Sequence, residues 1–424
     1  MPPTPTHPTR VRYWVVVFAI SLAVITYIDR VCISSAAPSM QNDLGLSDVQ
    51  MGWVFGAFAW AYALFEIPGG FLGDWMGPRK VLLRIVTWWS FFTAATGWAW
   101  SVTTLTVTRF LFGMGEAGCF PNLTKAFTTW LPEKERVRAQ GTMWLSARWG
   151  GAFTPPLVAL VMGLVGWRHA FGVFGCLGIL WAVVFWWWYR DDPLQNPKLN
   201  AAERELLRAS AGRAAGHGDV PWLRLIFSPH VWLLCWQYFC LSYGWYFYIT
   251  WLPTYLRRGR HMEIAATAWF GVLPLFFGGL GDLAGVAIAA RLARMTGSVA
   301  RARRLVAYAG FAGASGFLLL STTLQNPAMA VVAIALASFC NDLTMPGSWT
   351  SSMDIGGTYA GTVSGAMNMW GNAGGAMAPI VNGYLLTWSH GNWNVTFYVS
   401  AAVYLMGIVC WRFLDPVTPL ETAG

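Results

Sequence analysis

The chain has 424 residues, of which 56% are hydrophobic and 11% are charged. A soluble globular protein has about 25% charged residues, so this chain has too few polar side chains to cover its surface in water. The net charge of +9 would suit a nucleic-acid-binding protein, but the basic residues lie mainly in the connections between apolar segments, which excludes that class. We therefore expect an integral membrane protein surrounded by a lipid bilayer.

Twelve apolar segments follow one another along the chain. The apolar core of a bilayer takes about 20 helical residues, and each segment must be a helix because lipid offers no partner for backbone polar groups. The sequence therefore predicts an all-α membrane protein with twelve transmembrane helices. The segments lie near 12–37, 49–72, 80–101, 103–125, 139–163, 169–189, 229–256, 264–290, 303–323, 327–350, 361–387 and 393–414.

A long polar stretch divides the segments into six and six. We expect a six-helix N-terminal bundle over 1–190, a cytoplasmic central loop over 191–228 and a six-helix C-terminal bundle over 229–424. Two six-helix halves indicate a duplicated architecture with a substrate site between them, near the middle of the membrane.

Most lysines and arginines fall on the side of the membrane that holds the N-terminus. Because positive residues stay in the cytoplasm, both termini should be cytoplasmic, and the protein should span the cell membrane, such as a bacterial inner membrane, many times. Arg257, Arg258 and Arg260 break this pattern, and the sequence suggests for them only an attraction of anions at the outer mouth.

A glycine-rich turn after the second segment fits the spacing G-x-x-x-D-x-x-G-x-R-K. It resembles the signature loop of the major facilitator superfamily, which implies that fold and transport by alternating access. We expect its members to gate transport, Asp74 by pairing with arginines across the seam between the halves; a plain helix-ending turn is the alternative. The members are Gly70, Asp74, Gly77, Arg79 and Lys80.

Residues 27–30 (Tyr-Ile-Asp-Arg) and 109–118 are similar to the anion:cation symporter branch of this superfamily, which includes bacterial galactonate, glucarate and hexuronate permeases. The resemblance implies proton-coupled symport of a small organic anion such as a sugar acid. The chain departs from the pattern at Glu66, where glutamine is expected. A second copy of the signature loop, after the eighth segment, lacks its acidic residue.

Charged residues inside the apolar segments point to the same site, because each costs about 2.5–3.5 kcal/mol on insertion and is rarely idle. Arg30, with Arg109 as second choice, is the expected carboxylate ligand, since a guanidinium binds a carboxylate through two parallel hydrogen bonds. Asp29 and Glu116 are the expected proton carriers, because all six histidines lie in tails, loops or segment edges. Purely structural ion pairing is the alternative.

Polar side chains near these charges are further substrate ligands. Tyr27, Tyr62, Asn368 and Asn372 offer groups for substrate hydroxyls, whereas interface anchoring of the tyrosines and helix packing by the glycines beside the asparagines are the alternatives. The roles of four further charged residues remain open at this stage: Glu66, Arg148, Asp282 and Asp342.

The motifs that are missing narrow the function class. None of the four lysines follows a glycine or precedes a threonine, so the sequence has neither a Walker A motif nor a phosphorylated Asp-Lys-Thr-Gly. Without a nucleotide, metal or cofactor site we expect a monomeric secondary transporter rather than an enzyme. An exporter of an organic anion or drug, and a membrane sensor that does not transport, are the alternatives. The anion, the transport direction, the proton stoichiometry and a role for sodium stay open.

Overall fold

The computed structural model describes residues 7–211, 222–356 and 360–419, and their regular structure is helical throughout. The helices are α1 (Trp14–Leu44), α2 (Asp48–Met76), α3 (Pro78–Thr96), α4 (Val102–Glu116), α5 (Cys119–Trp130), α6 (Glu133–Trp188), α7 (Ala201–Ala211), α8 (Trp222–Phe227), α9 (Pro229–Thr250), α10 (Leu252–Thr254), α11 (Ile264–Phe270), α12 (Val272–Thr296), α13 (Val299–Thr323), α14 (Pro327–Leu343), α15 (Met345–Gly356), α16 (Ala360–Trp388) and α17 (Trp393–Phe413).

These helices combine into twelve membrane spans, as the segments predicted. α4 with α5, α9 with α10, α11 with α12 and α14 with α15 each follow one another to make a single span. The long α6 contains two spans, because Gly166 interrupts it with a φ of +76°. Glycine adopts this left-handed region without the clash that a Cβ atom would cause, so residue 166 is a turn between helices.

The spans form two six-helix halves. In the first half α1 and α3 pack against α6, and α2 and α3 pack against α4; in the second half α9 packs against α17, α12 against α14, and α13 against both α14 and α17. The halves meet where α2 lies along α16 and α6 lies against α12. The exact limits of the predicted domains stay a prediction.

The outer surface of the bundle is apolar. Among the described residues, six helical stretches are long and apolar enough to cross a membrane on length and composition alone. Large hydrophobic side chains remain exposed on the outside, for example Leu164 at 76% and Trp187 at 75%. A soluble protein rarely exposes such side chains in large contiguous patches, so this surface is suited to lipid.

The two halves are closed against each other at the end of the bundle opposite the chain termini, which we call the far end. Arg258 forms an ion pair of 2.6 Å with Asp48 across the seam. Gly52 lies directly against the backbone of Pro379, and a Cβ atom there would meet the Pro379 carbonyl oxygen at 2.5 Å. Small residues thus let α2 and α16 approach closely, and the passage between the halves is shut at this end.

Candidate functional site

A cluster of four charged residues lies inside the first half, which we call the inner cluster. α1 contributes Asp29 and Arg30, and α4 contributes Arg109 and Glu116. Asp29 and Glu116 are 0% exposed and Arg109 is 2% exposed. The structure therefore brings together the four charges that the sequence predicted to bind substrate and protons. Two acids and two cations balance, so the cluster as a whole is neutral.

Arg30 and Glu116 form the centre of the inner cluster. Nε of Arg30 donates a hydrogen bond to Oε1 of Glu116, and Nη2 forms an ion pair with the same oxygen. The other oxygen, Oε2, is buried and accepts no hydrogen bond from the described residues. A buried carboxylate that uses one oxygen only is poorly compensated, so Glu116 is suited to take up a proton.

Aromatic rings surround the Arg30 guanidinium. Its Cζ lies 4.8 Å from the ring centre of Tyr62, 5.4 Å from Tyr27, 5.2 Å from Phe58 and 5.7 Å from Phe120. Cation–π attraction stabilises the charge at these distances and fixes the plane of the guanidinium group. The two tyrosines that the sequence predicted as substrate ligands thus contact the predicted carboxylate ligand.

Asp29 and Arg109 leave several polar atoms without partners. Both Asp29 oxygens, and Nε and Nη1 of Arg109, are buried without a hydrogen bond to any residue in the described part of the chain. The two charges attract each other, and the Arg109 Cζ stacks 4.3 Å from the Phe112 ring centre. Such unpaired donors and acceptors are rare in folded proteins, and they are free to bind an incoming ligand or proton.

The span that carries Glu116 is broken directly after it, which the sequence analysis did not predict. Ala117 and Gly118 leave the helical conformation, Gly118 with a φ of +85°. Gly69 of α2 packs against this break, and the side-chain amide of Asn122 donates to the carbonyl oxygens of Gly69 (3.1 Å) and Gly118 (2.7 Å). The break fixes the direction in which Glu116 points. Gly118, which follows Glu116 and Ala117, is the feature of the sequence that could have predicted this break.

Glu66 joins the two halves beside the inner cluster. Nδ2 of Asn368 donates to one Glu66 oxygen at 2.6 Å, and Nδ2 of Asn372 lies 3.5 Å from the other. The hydroxyl of Tyr246 on α9 donates to Oδ1 of Asn372 at 3.1 Å. Both predicted asparagine ligands are therefore held by a carboxylate of the opposite half. The sequence singled out Glu66 as a departure but could not identify this pairing, because 302 residues separate it from Asn368.

Two of the predicted gating residues, Gly70 and Asp74, lie on α2, but their surroundings are outside what the structure describes. Gly77 precedes α3 with a φ of +82°, next to Pro78, which is the first residue of that helix. Lys80 is exposed. The pairing of Asp74 with arginines across the seam stays a prediction.

The remaining predicted gating residue, Arg79, binds within the first half. Its backbone nitrogen donates to Oδ1 of Asp191 at 2.9 Å, and Nη2 donates to the Trp186 carbonyl oxygen at 2.6 Å. Its Cζ also stacks 3.9 Å from the Trp186 ring centre. Arg79 thus ties the signature loop to the end of α6, and Asp191 is a partner that sequence reasoning missed.

Comparison with known proteins identifies the fold. The model of the Major Facilitator Superfamily matches residues 19–379. A probable sulfoacetate transporter, SauU, of Cupriavidus necator is 38% identical over 406 residues, 94% of each chain. A probable galactarate/D-glucarate transporter, GarP, of Escherichia coli is 29% identical over 95% of this chain and 94% of its own. A bacterial homolog of the human lysosomal transporter Spinster, solved inward-facing and occupied, superposes with a TM-score of 0.77 at 18% identity over 95% and 97%.

Proposed function

We propose that this chain, which belongs to the Major Facilitator Superfamily, moves a small organic anion across the membrane together with protons by alternating access. The family and its named relatives indicate a transporter and not an enzyme. The observation that carries the proposal is the inner cluster, where the Arg30 guanidinium is paired with a Glu116 carboxylate that leaves one buried oxygen unpartnered.

The anion competes with Glu116 for Arg30. A carboxylate offers both of its oxygens, and a sulfonate two of its three, to the paired N–H groups of a guanidinium. The relatives named above are described as probable transporters of sulfoacetate, galactarate and glucarate. Once released from Arg30, the buried carboxylate lacks its stabilising charge and takes up a proton. Proton binding then strengthens anion binding by the same factor, because coupling between two sites is reciprocal.

The orientation of the protein in the membrane follows from the distribution of its basic residues. Lysines and arginines concentrate on the side of the chain termini, so we place both termini in the cytoplasm of a cell such as the bacteria that contain the relatives SauU and GarP. The far end then faces outward, and the Arg258–Asp48 contact shuts the protein toward the outside. The protein acts as a monomer, since each half supplies one wall of the site.

Flux into proteoliposomes tests this function. With a pH gradient of one unit, acid outside, and the membrane voltage held at zero, one proton per anion gives about tenfold accumulation. The panel contains sulfoacetate, D-glucarate and an aromatic acid. We expect the pH gradient to drive uptake of the two aliphatic anions. Glu116→Gln, which mimics the protonated carboxyl group, should abolish this uphill uptake and retain exchange of labelled for unlabelled anion.

Glu203→Gln is the matched control, because Glu203 is also 0% exposed but pairs with Arg12 near the chain termini. It should accumulate the anion as the wild-type protein does. Undiminished proton-driven accumulation in Glu116→Gln excludes Glu116 as a proton carrier. Binding without any flux in the wild-type protein would instead identify a sensor.

A further inference from the structure

A second charged cluster bridges the two halves, on the other side of the bundle from the contact of α2 with α16. Nε of Arg148 on α6 lies 3.5 Å from Oδ2 of Asp282 on α12, and Nη1 lies 3.5 Å from Oδ2 of Asp342 on α14. The side chains of Arg148 and Asp342 are 6% and 1% exposed, and that of Asp282 is 27% exposed. We call these three residues the seam cluster.

The seam cluster is not balanced, unlike the inner cluster. One guanidinium faces two carboxylates, which leaves one negative charge in excess. Oδ1 of Asp282, Oδ2 of Asp342 and Nη1 of Arg148 are all buried without a hydrogen bond to the described residues. Burying an uncompensated charge costs several kcal/mol, so a positive species that neutralises one carboxylate is strongly favoured here.

The surroundings of Asp342 hold its carboxylate in place but supply no charge. Nδ2 of Asn341 donates to Oδ1 at 2.9 Å. Gly278 of α12 lies against Oδ2, where a Cβ atom would collide with it, and the Ser338 hydroxyl is close to the same glycine without a hydrogen-bond partner in the described part of the chain.

Phenols also act on the seam cluster in the described part of the chain. They come from α1, α9 and α17: Tyr27, Tyr238, Tyr248 and Tyr404. Trp245 of α9 covers the Arg148 guanidinium at 4.7 Å. These groups add no positive charge to Arg148, so they leave the excess negative charge in place.

We infer that the seam cluster is a second proton-binding site, in which Asp282 and Asp342 share one proton while the seam is closed. A proton removes the excess charge without any further ligand. A sodium ion would need about six oxygens and would be repelled by a guanidinium 3.5 Å from each carboxylate. The inference concerns a different site from the inner cluster and depends on the proposed function only for its place in the transport cycle.

The location of the seam cluster ties its proton to the transport cycle. Alternating access rocks one half against the other, so opening of the far end draws Arg148 on α6 away from the acids on α12 and α14. Water then reaches both carboxylates and stabilises their charged forms, and the proton leaves. The partial exposure of Asp282 marks the path by which water and the proton enter.

Proton counting on the purified protein, without anion, tests the inference. Titration gives the number of protons bound between alkaline pH and a pH of about 6, a range in which an ordinary aspartate stays ionised. Asp342→Asn should bind one proton fewer than the wild-type protein, because Asp282 alone then balances Arg148. Asp282→Asn is the second variant in case Asp342→Asn does not fold, and Glu203→Gln, outside both clusters, is the control that keeps the wild-type count.

Infrared difference spectroscopy of the purified protein reads the proton directly, without transport. Neutral-to-alkaline difference spectra should show a protonated carboxyl band that disappears in Asp342→Asn or Asp282→Asn. An unchanged proton count and an unchanged band in both folded variants overturn the inference, as does a dependence on sodium in place of pH. Loss of proton-driven uptake in Glu116→Gln, with an unchanged proton count and band in the seam variants, would leave the proposed function standing and refute the seam cluster only. Undiminished proton-driven uptake in Glu116→Gln, with a lower proton count and no band in the seam variants, would do the reverse.

Discussion

Replacing Arg30 by lysine tests whether its guanidinium is the anion ligand. The substitution keeps the positive charge but removes the planar guanidinium group, whose Nε and Nη2 both contact Glu116. A lysine ammonium is a point charge and cannot make both contacts in one plane. Losing one hydrogen bond to a charged group costs about 1.5–3 kcal/mol, so anion affinity should fall about ten- to a hundredfold.

Titration calorimetry of the purified variant with the transported anion measures this loss. Arg260→Lys is the matched control: Arg260 donates to the carbonyl oxygens of Ser321 (2.6 Å) and Leu324 (2.7 Å) at the far end, so its replacement should lower stability and leave affinity unchanged. Near-normal affinity in Arg30→Lys would mean that Arg30 only holds Glu116. Arg109→Lys, tested in parallel, would then reveal whether the second arginine binds the anion.

Two further predictions concern contacts outside the inner cluster. The hydrogen bond from Arg12 lowers the pKa of Glu135 below its ordinary value. The resulting stability is complete above the ordinary glutamate pKa of about 4.3 and disappears as the pH falls through the lowered pKa, so Arg12→Gln should flatten the acid side of a plot of melting temperature against pH; an unchanged slope contradicts this. The pair of Arg258 with Asp48 is half exposed on the arginine side and is worth about 0–1 kcal/mol. Asp48→Asn should therefore raise thiol labelling of an Asn382→Cys variant, at a buried position of α16 at the far end, at most about fivefold. A much larger rise would show that this pair alone closes the seam.

Much of the fold was predictable because the membrane imposes strong constraints. Each apolar segment must be a helix of about 20 residues, and the twelve predicted segments match the observed spans. The inner cluster was predictable for a related reason: charges such as Arg30 and Glu116 are too costly in an apolar segment to face lipid. They had to turn inward, where a partner of opposite charge and, for Arg30, aromatic rings compensate them.

Contacts between distant segments were not predictable, because nothing local encodes them. Glu66 and Asn368 are 302 residues apart, and their hydrogen bond depends on the close packing of α2 on α16. Arg258 and Arg260 appeared as a local exception to the charge pattern, and the structure gives each a partner: Asp48 across the seam for Arg258, and carbonyl oxygens at the end of α13 for Arg260. Their positive charge is used for structure, which composition alone cannot reveal.

The charge balance of the two clusters predicts an order of events. The inner cluster is neutral by itself, with two acids and two cations, so a proton enters it only when the anion occupies Arg30 and releases Glu116. The seam cluster has one carboxylate in excess and must hold its proton before any anion arrives, for as long as Arg148 stays between Asp282 and Asp342. One proton therefore follows the anion and the other follows the movement of the halves. Lowering the pH should thus stabilise the closed seam even in the absence of substrate, whereas protonation of the inner cluster should require the anion.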